Sequence, residues 1–156
     1  MDIQAFIQGN EHLRKFEWTG KVVNHTKKPR LGRRYDYPDY DDFVPKGQGI
    51  YVFFDSKQKC LYVGQARGKR MLVNRLKDRF KEMHGQGHKD YPDHTQFFQT
   101  YQDQNMLILT TCVLDPFERN QVEKYLTIHL NPLFLEFQKV YQKKRVKEKA
   151  DDSFST

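Results

Sequence analysis

The sequence predicts a protein of the α+β class, in which strands and helices pack around one core. Three segments, 49–55, 59–65 and 107–113, are short and rich in β-branched and aromatic residues, which is typical of strands. Two further segments, 69–84 and 116–130, place apolar residues at helical spacing. The 156 residues are enough for one domain with a hydrophobic core and too few for two ordinary domains.

Composition and charge indicate which partners and which cellular setting to expect. The formal net charge of +7 favours a polyanionic partner. No run of eighteen apolar residues is present, and the start lacks the pattern of a signal peptide, so we expect no membrane association. Cys60 and Cys112 lie in apolar, strand-like runs and make no disulfide framework, which favours a reducing, cytoplasmic setting.

Residues 1–45 are predicted to be an N-terminal extension, with a short helix at 2–8 and a short strand at 16–23. The segment 27–34 concentrates five cations, which are Lys27, Lys28, Arg30, Arg33 and Arg34. This basic arm either contacts DNA or is a solvated loop, and its proline and glycine keep it irregular. The next segment, 35–42, carries four aspartates and three tyrosines and folds either onto the basic arm or onto a partner subunit.

Two central helices have clear sequence signals. The first has an apolar stripe formed by Leu72, Leu76, Phe80 and Met83. The second begins with Asp115 as N-cap and Pro116 at the first helical position, and Glu118 completes a capping box. Pro132 ends this helix. Its inner stripe is predicted to comprise Val122, Leu126, His129 and Leu130.

The segment between these helices and the C-terminal segment are less regular. Residues 84–94 contain glycines and a proline and are predicted to be a loop. This segment contains three histidines, His84, His88 and His94. They either face DNA as polar groups or bind zinc. A zinc site would need a further ligand, and no cysteine or other clear ligand follows nearby. A last helix is predicted to begin at Leu133, and the charged sequence beyond Lys143 to be a frayed tail. Residues 138–156 are thus a basic C-terminal helix and tail.

The segment GIYVFFDSKQKCLYVG at 49–64 is predicted to form a β-hairpin. Opposed residues of an antiparallel pair have numbers with a constant sum, so a turn centred on Ser56 and Lys57 places Tyr51 opposite Tyr62. Two phenol rings then project from one face of the sheet. Such a pair either stabilises the sheet as an aromatic contact or supplies chemistry, and the residues downstream favour chemistry.

Three charged residues accompany the phenols at the rims of the two helices. Arg75 and Arg79 are four residues apart and share one face beside the apolar stripe. Glu123 has the equivalent position on the later helix. A phenol can take a proton from water, an arginine can hold a phosphate oxygen, and a carboxylate can hold a divalent metal ion. The set is therefore able to hydrolyse a phosphodiester.

These motifs resemble those of the GIY-YIG nuclease family. Gly49-Ile50-Tyr51 matches the first triplet of that name, and Tyr62-Val63-Gly64 is similar to the second. Residues 74–80 look like the family's Arg-Leu-x-x-His-Phe helix, with Arg75 at the catalytic arginine and Arg79 in place of the usual histidine. The stretch from Glu123 to Pro132 is similar to the one that carries the metal-binding glutamate. The resemblance covers residues 46–137, the predicted nuclease domain.

The resemblance implies a fold and a set of roles. The fold is a small, three-stranded, mainly antiparallel sheet flanked by helices. The reaction is hydrolysis of nucleic-acid phosphodiester bonds with Mg²⁺ or Mn²⁺. Tyr51 is the general base for the attacking water, with its hydroxyl exposed to solvent and substrate, and Tyr62 orients water or phosphate. Arg75 stabilises the charge of the transition state, Arg79 supports it, and Glu123 is the metal ligand.

One position departs from the family pattern. The family often places an asparagine three residues after the proline that ends the glutamate helix, where this chain has Leu135. Asn131, directly before Pro132, could take its role only in a rearranged loop.

The sequence thus predicts a metal-dependent endonuclease of the restriction or mobile-element type that cuts double-stranded DNA. The basic arm, together with Lys69 and Arg70, is predicted to contact the nucleic acid. The alternatives are a nuclease that cleaves RNA and a binding module that has lost cleavage. One such site cuts one strand, and segments 1–45 and 84–105 add surface beyond the minimal domain, so we also expect a homodimer.

Overall fold

The computed structural model describes residues 2–27 and 36–154. Lys27 is therefore the one cation of the predicted basic arm whose position is described. The other four lie outside the described residues, and they are Lys28, Arg30, Arg33 and Arg34.

A four-stranded antiparallel sheet forms the centre of the described fold, with strand order β1-β4-β2-β3. The strands are β1 (Thr19–Asn24), β2 (Gly49–Phe54), β3 (Cys60–Ala66) and β4 (Asn105–Cys112). The α+β class is confirmed, but the predicted number of three strands is wrong. β1 pairs along its whole length with β4, from Thr19 opposite Thr110 to Asn24 opposite Asn105. The predicted N-terminal extension thus supplies an edge strand.

Helices cover both faces of the sheet. They are α1 (Ile3–Gln8), α2 (Glu11–Arg14), α3 (Leu72–Met83), α4 (Pro92–Gln99), α5 (Pro116–Leu130) and α6 (Leu133–Phe154), and a 3₁₀ turn spans Tyr40–Asp42. The stripe predicted for α3 is confirmed, since each of its four apolar residues is buried.

The prediction of a loop throughout 84–94 is wrong at its end. Pro92 lies in the first turn of α4. Backbone N–H groups there have no acceptor within the helix, so the N–H that proline lacks is not needed.

The start of α5 agrees only partly with its sequence signal. Asp115 accepts hydrogen bonds from the backbone N–H groups of Phe117 and Glu118, as an N-cap should. The side chain of Glu118, however, pairs with Lys15 at 3.0 Å instead of completing a capping box. His129 was wrongly predicted to face the core. It is exposed and stacks on Tyr125, with 4.2 Å between ring centroids.

The C-terminal helix is longer than the sequence predicted. α6 continues to Phe154, through the segment beyond Lys143 that was predicted to fray. Lysine, arginine, glutamate and alanine dominate that segment, and they are strong helix formers. The segment also contains no proline or glycine to break the helix.

Two hydrophobic clusters lie on opposite faces of the sheet. One joins inward residues of α3, α4 and α6 to Tyr51 and Phe53. The other joins α1, α2 and α5 to Ile50 and Val52, which alternate with the first pair along β2. Because β3 lies at an edge of the sheet, side chains from helices on both faces can meet beside it.

Candidate active site

The five residues predicted to be catalytic all line one cleft of about 300 Å³ at the free edge of β3. Tyr51 comes from β2, Tyr62 from β3, Arg75 and Arg79 from α3, and Glu123 from α5. α3 and α5 cover opposite faces of the sheet, so the cleft is formed where the two layers meet around an edge strand. The cleft is also lined by residues that the sequence analysis did not assign to it, Val63, Gly64, Gln65, Arg67, Tyr91 and His94.

The two phenols share a face of the sheet, as predicted, but the predicted register is wrong. Tyr51 lies opposite Gly64, and Tyr62 lies opposite Phe53. The rings are diagonal neighbours that stack with centroids 5.9 Å apart and 22° between their planes. The wider turn explains the shift, because Asp55 accepts hydrogen bonds from the N–H groups of Lys57 and Lys59, both at 2.9 Å. The pairing slips by one residue between Phe53 and Phe54.

The glycines of the two triplets have different structural roles. A side chain at Gly49 would overlap the carbonyl oxygen of Thr111 on the neighbouring strand. A Cβ at Gly64 would lie 2.5 Å from the hydroxyl of Tyr51 and 2.7 Å from the Tyr62 ring. Gly49 thus allows strand packing, whereas Gly64 leaves space for both phenols.

Tyr62 is held by a pair of charges that lies almost out of water. Arg79 donates from Nη1 to the Tyr62 hydroxyl at 2.9 Å and from Nη2 to Oε1 of Glu82 at 2.5 Å. Arg79 and Glu82 are buried, with 8% and 4% of their surfaces exposed. Burial raises the pKa of Glu82 to about 7 even though Arg79 opposes the shift. Arg79 was expected to help stabilise the charge on the phosphate. In the free protein its contact is more specific, because it positions the Tyr62 phenol.

Neither phenol is readily ionised in the free protein. Burial raises the pKa of Tyr51 well above its ordinary value, and the neighbouring Tyr62 adds to the shift. Burial also raises the pKa of Tyr62, and Arg79 acts in the opposite direction. Only 2% of Tyr51 is exposed, so the expectation of a solvent-exposed hydroxyl is wrong. Its hydroxyl reaches the cleft wall, while its ring packs in the core.

Glu123 lines the cleft beside a network of polar side chains on α5 and β3. Burial raises the pKa of Glu123, and the neighbouring Gln65 and Arg67 oppose that shift. Gln65 is itself fixed, since it donates to Asn120 at 2.9 Å and accepts from Nε of Arg119 at 3.0 Å. The second oxygen of Glu123, Oε2, is buried and has no partner within the described part of the chain. It is the polar atom in the cleft best placed to take a cation.

The cleft fits a divalent ion that is bound mainly by water and substrate. No group of three histidine, cysteine, aspartate or glutamate side chains that could hold a metal is found in residues 2–27 and 36–154. Mg²⁺, however, often uses one or two carboxylates and takes its remaining ligands from water and phosphate. Glu123, with its unpartnered oxygen, satisfies that requirement. Arg75, with 30% of its side chain exposed, lines the same cleft.

The remaining predicted residues lie at or beyond the rim. Lys69 and Arg70 are exposed in the loop between β3 and α3, where Arg70 pairs with Asp78, and Lys27 is exposed after β1. Asn131 adopts a left-handed conformation (φ 47°) at the end of α5. Within the described chain, neither Asn131 nor Leu135 lines the cleft.

The three histidines considered for zinc or DNA have separate partners. His84 contacts the carbonyl oxygen of His25 at 2.9 Å, and His88 lies 3.5 Å from Asp90. His94 instead lies in the cleft next to Tyr62. Its proximity to Tyr62 depends on α4, and the sequence offered no signal for it beyond the proline at its start.

No family model, curated protein or solved structure matches the chain. The likeness to GIY-YIG nucleases therefore stays a prediction from short motifs. Within the described residues, no helix is both long and apolar enough to cross a membrane.

Proposed function

We propose that this chain is a divalent-metal-dependent endonuclease that hydrolyses phosphodiester bonds of double-stranded DNA, similar to GIY-YIG enzymes of the restriction or mobile-element type. The observation that carries the proposal is the convergence of Tyr51, Tyr62, Arg75, Arg79 and Glu123 on one cleft. These residues span 73 positions of sequence and four elements, and periodicity alone does not require them to meet. A purely structural aromatic pair would need neither the arginines nor the carboxylate around it.

Each group can act on a phosphodiester held in the cleft. Arg75 is half-buried in the cleft wall, 3.8 Å from Asp78, and its guanidinium can hold a non-bridging oxygen and stabilise the charge that develops there. The hydroxyl of Tyr51 can receive the proton of the attacking water, while Arg79 fixes the neighbouring Tyr62. Gln65 lines the cleft together with Glu123 and is itself fixed by Asn120 and Arg119.

Glu123 would hold the Mg²⁺ or Mn²⁺ ion that the proposed reaction uses. When bound, such an ion acts as a Lewis acid that stabilises negative charge on the phosphoryl oxygens. Low polarity around Glu123 strengthens its attraction for a cation, because burial disfavours the unpaired carboxylate.

Positive charge around the cleft favours a nucleic acid as the substrate. The chain carries a formal net charge of +7, and Lys69 and Arg70 are exposed at the rim. A neighbouring cleft between α4 and α6 is lined by further cations, Lys89, Lys144 and Arg145. Tyr91 is 59% exposed at the boundary between the two regions and can stack against a nucleotide.

A supercoiled plasmid tests the proposal. With Mg²⁺ we expect nicked and then linear DNA, and with EDTA we expect binding in a gel-shift assay without cleavage. Binding without cleavage under either condition would instead support a binding module. Faster cleavage of duplex RNA than of duplex DNA with the same sequence would show that RNA is the substrate.

Adding a methyl group at Gly64 should impair cleavage more than folding. Gly64→Ala forces the Tyr51 and Tyr62 rings apart, and misplacement by about 1 Å can cost roughly 100-fold in rate. Overpacking should cost about 1–3 kcal/mol of stability, which a melting curve can measure. Gly49→Ala is the contrasting variant, because it collides with backbone and should lower the melting temperature more. A Gly64→Ala protein that cleaves at the wild-type rate would show that the phenols need no fixed position.

Clean double-strand cleavage should require either two copies of the chain or two sequential nicks, and we expect two copies. One cleft holds one set of catalytic groups, so a single copy is expected to cut one strand at a time. We expect sedimentation velocity to detect a dimer that becomes more populated when duplex DNA is present. Monomers alone at every concentration, with and without DNA, would contradict this expectation.

A further inference from the structure

α4 brings a histidine into contact with the phenol pair. His94 Nε2 lies 3.4 Å from the Tyr62 hydroxyl, and its Nδ1 lies 3.1 Å from Oδ1 of Asp93. The distance to Tyr62 is long for a hydrogen bond, but catalytic contacts often shorten only when substrate binds. Asp93 is in turn fixed from α6, because Gln138 donates to its Oδ2 at 2.9 Å.

The partners of these groups determine where the protons lie. A carboxylate only accepts, so Asp93 requires a proton on Nδ1 of His94 and leaves Nε2 as an acceptor. Arg79 donates to the oxygen of Tyr62, so the hydroxyl proton of Tyr62 is free to point toward His94. The Tyr51 and Tyr62 rings stack with their centroids 5.9 Å apart, so the Tyr51 hydroxyl can donate to the Tyr62 hydroxyl. The donor–acceptor order thus runs in one direction, from Tyr51 through Tyr62 to His94.

His94 is suited to accept a proton and then to hold the resulting charge. It packs against Phe134 of α6, with ring centroids 4.6 Å apart, and only 17% of its side chain is exposed. Burial lowers the pKa of His94, and the Arg79 guanidinium adds to the effect, so both favour the neutral imidazole. Asp93 opposes that shift and would stabilise the imidazolium formed when a proton arrives.

We propose that His94 is the terminal proton acceptor of a Tyr51–Tyr62–His94 relay, and this inference rests on the proposed phosphodiesterase function. As water attacks phosphorus, its electron pair forms the new P–O bond and its proton passes to the Tyr51 oxygen. Tyr51 gives its own proton to Tyr62, and Tyr62 gives its proton to Nε2 of His94. The bond to the leaving nucleoside oxygen breaks, and that oxygen keeps the electron pair. In this relay His94 touches neither the attacking water nor the phosphodiester. It acts only through Tyr62, so it is a positioning residue for the phenols.

The relay explains how two buried phenols can serve a base-catalysed reaction. Neither needs to be a phenolate beforehand, because each loses a proton as it gains one. His94 ends up as an imidazolium beside the Asp93 carboxylate, and water at the cleft can later remove the proton. Without an acceptor, the proton from the attacking water would have to remain on the phenol pair beside Arg79.

Chemical rescue tests the relay under single-turnover conditions. Relative to wild type, His94→Ala should cleave about 100-fold more slowly, the lower end of the range for general-base catalysis. His129→Ala, which changes an exposed histidine that does not line the cleft, should cleave at the wild-type rate. Added imidazoles should restore part of the His94→Ala rate, in proportion to their basicity, whereas the weakly basic pyrazole should not. A full rate in His94→Ala, or equal rescue by imidazole and pyrazole, would overturn the relay.

Nitrogen chemical shifts of His94 give a readout that does not depend on cleavage. At pH 7 the free protein should show Nδ1 protonated and Nε2 bare, and Tyr62→Phe should shift the Nε2 signal. A proton on Nε2 would remove the acceptor and overturn the relay even in an active enzyme. A wild-type protein that cleaves nothing would instead refute the proposed function, and with it the reaction that the relay serves.

Discussion

Replacing Glu123 by glutamine should abolish metal-dependent cleavage and leave the fold intact. Glutamine has the same shape but no charge, and Glu123 lies outside the buried stripe of α5. Because burial raises the pKa of Glu123, its ionised form is disfavoured in the folded state and its charge destabilises the fold above the ordinary pKa. Removing the charge should therefore leave the free energy of unfolding at pH 7 unchanged or slightly higher.

The rate should fall by roughly 1000-fold or more. A metal ion supplies several kcal/mol of charge stabilisation, and about 1.4 kcal/mol corresponds to a factor of ten. Single-turnover cleavage of a labelled duplex measures the rate, and circular dichroism during heating measures stability. Glu118→Gln is the matched control, since Glu118 lies on the same helix and pairs with Lys15 away from the cleft. Wild-type cleavage by Glu123→Gln would mean that this carboxylate is not the metal ligand.

Replacing Tyr51 by phenylalanine should slow cleavage by roughly 100- to 10,000-fold, the usual range for general-base catalysis. The change removes one oxygen and keeps the ring that packs against Phe53 and Tyr62. The lost contact to Tyr62 should cost about 1 kcal/mol or less, because a hydroxyl is removed without adding a polar group. DNA affinity should be unchanged, since contacts from lysine and arginine to phosphate dominate binding.

Tyr40→Phe is the matched control for this substitution. Tyr40 is 1% exposed, and its hydroxyl has no partner in the described part of the chain. The control removes a buried hydroxyl outside the cleft, so cleavage should remain at the wild-type rate. If Tyr51 and Tyr62 were only a stabilising aromatic pair, Tyr51→Phe would behave like Tyr40→Phe. A binding titration run beside the single-turnover assay separates a loss of rate from a loss of affinity.

Local periodicity explains which parts of the fold could be predicted. The stripe of α3 follows from spacing that any helix imposes, and the N-cap at Asp115 follows from backbone chemistry within one turn. The place of β1 in the sheet could not be predicted in this way. Its partner, β4, lies more than eighty residues away, and a short strand does not specify a distant partner. The hairpin register was missed because Asp55 and the irregular pairing at Phe53 and Phe54 set a wider turn.

The site residues also divide into those that local patterns identify and those that depend on contacts between distant elements. Arg75 and Arg79 could be selected as rim residues from helix geometry, and Tyr51 and Tyr62 from their positions in the hairpin. Gln65 and His94 depend on contacts across the edge of β3 that no local pattern specifies. The sequence identified groups with suitable chemistry, and the meeting of α3, α4 and α5 at one strand edge determined their partners.

In the proposed reaction, water activated within this cleft attacks the phosphodiester. The most direct test is a single-turnover reaction in water enriched in ¹⁸O, followed by mass spectrometry of the cleaved DNA and of the protein. We predict a single ¹⁸O atom in the terminal phosphate of the product and no nucleotide attached to the protein. A product phosphate without ¹⁸O, or a phosphotyrosyl adduct at Tyr51 or Tyr62, would show that water is not the nucleophile.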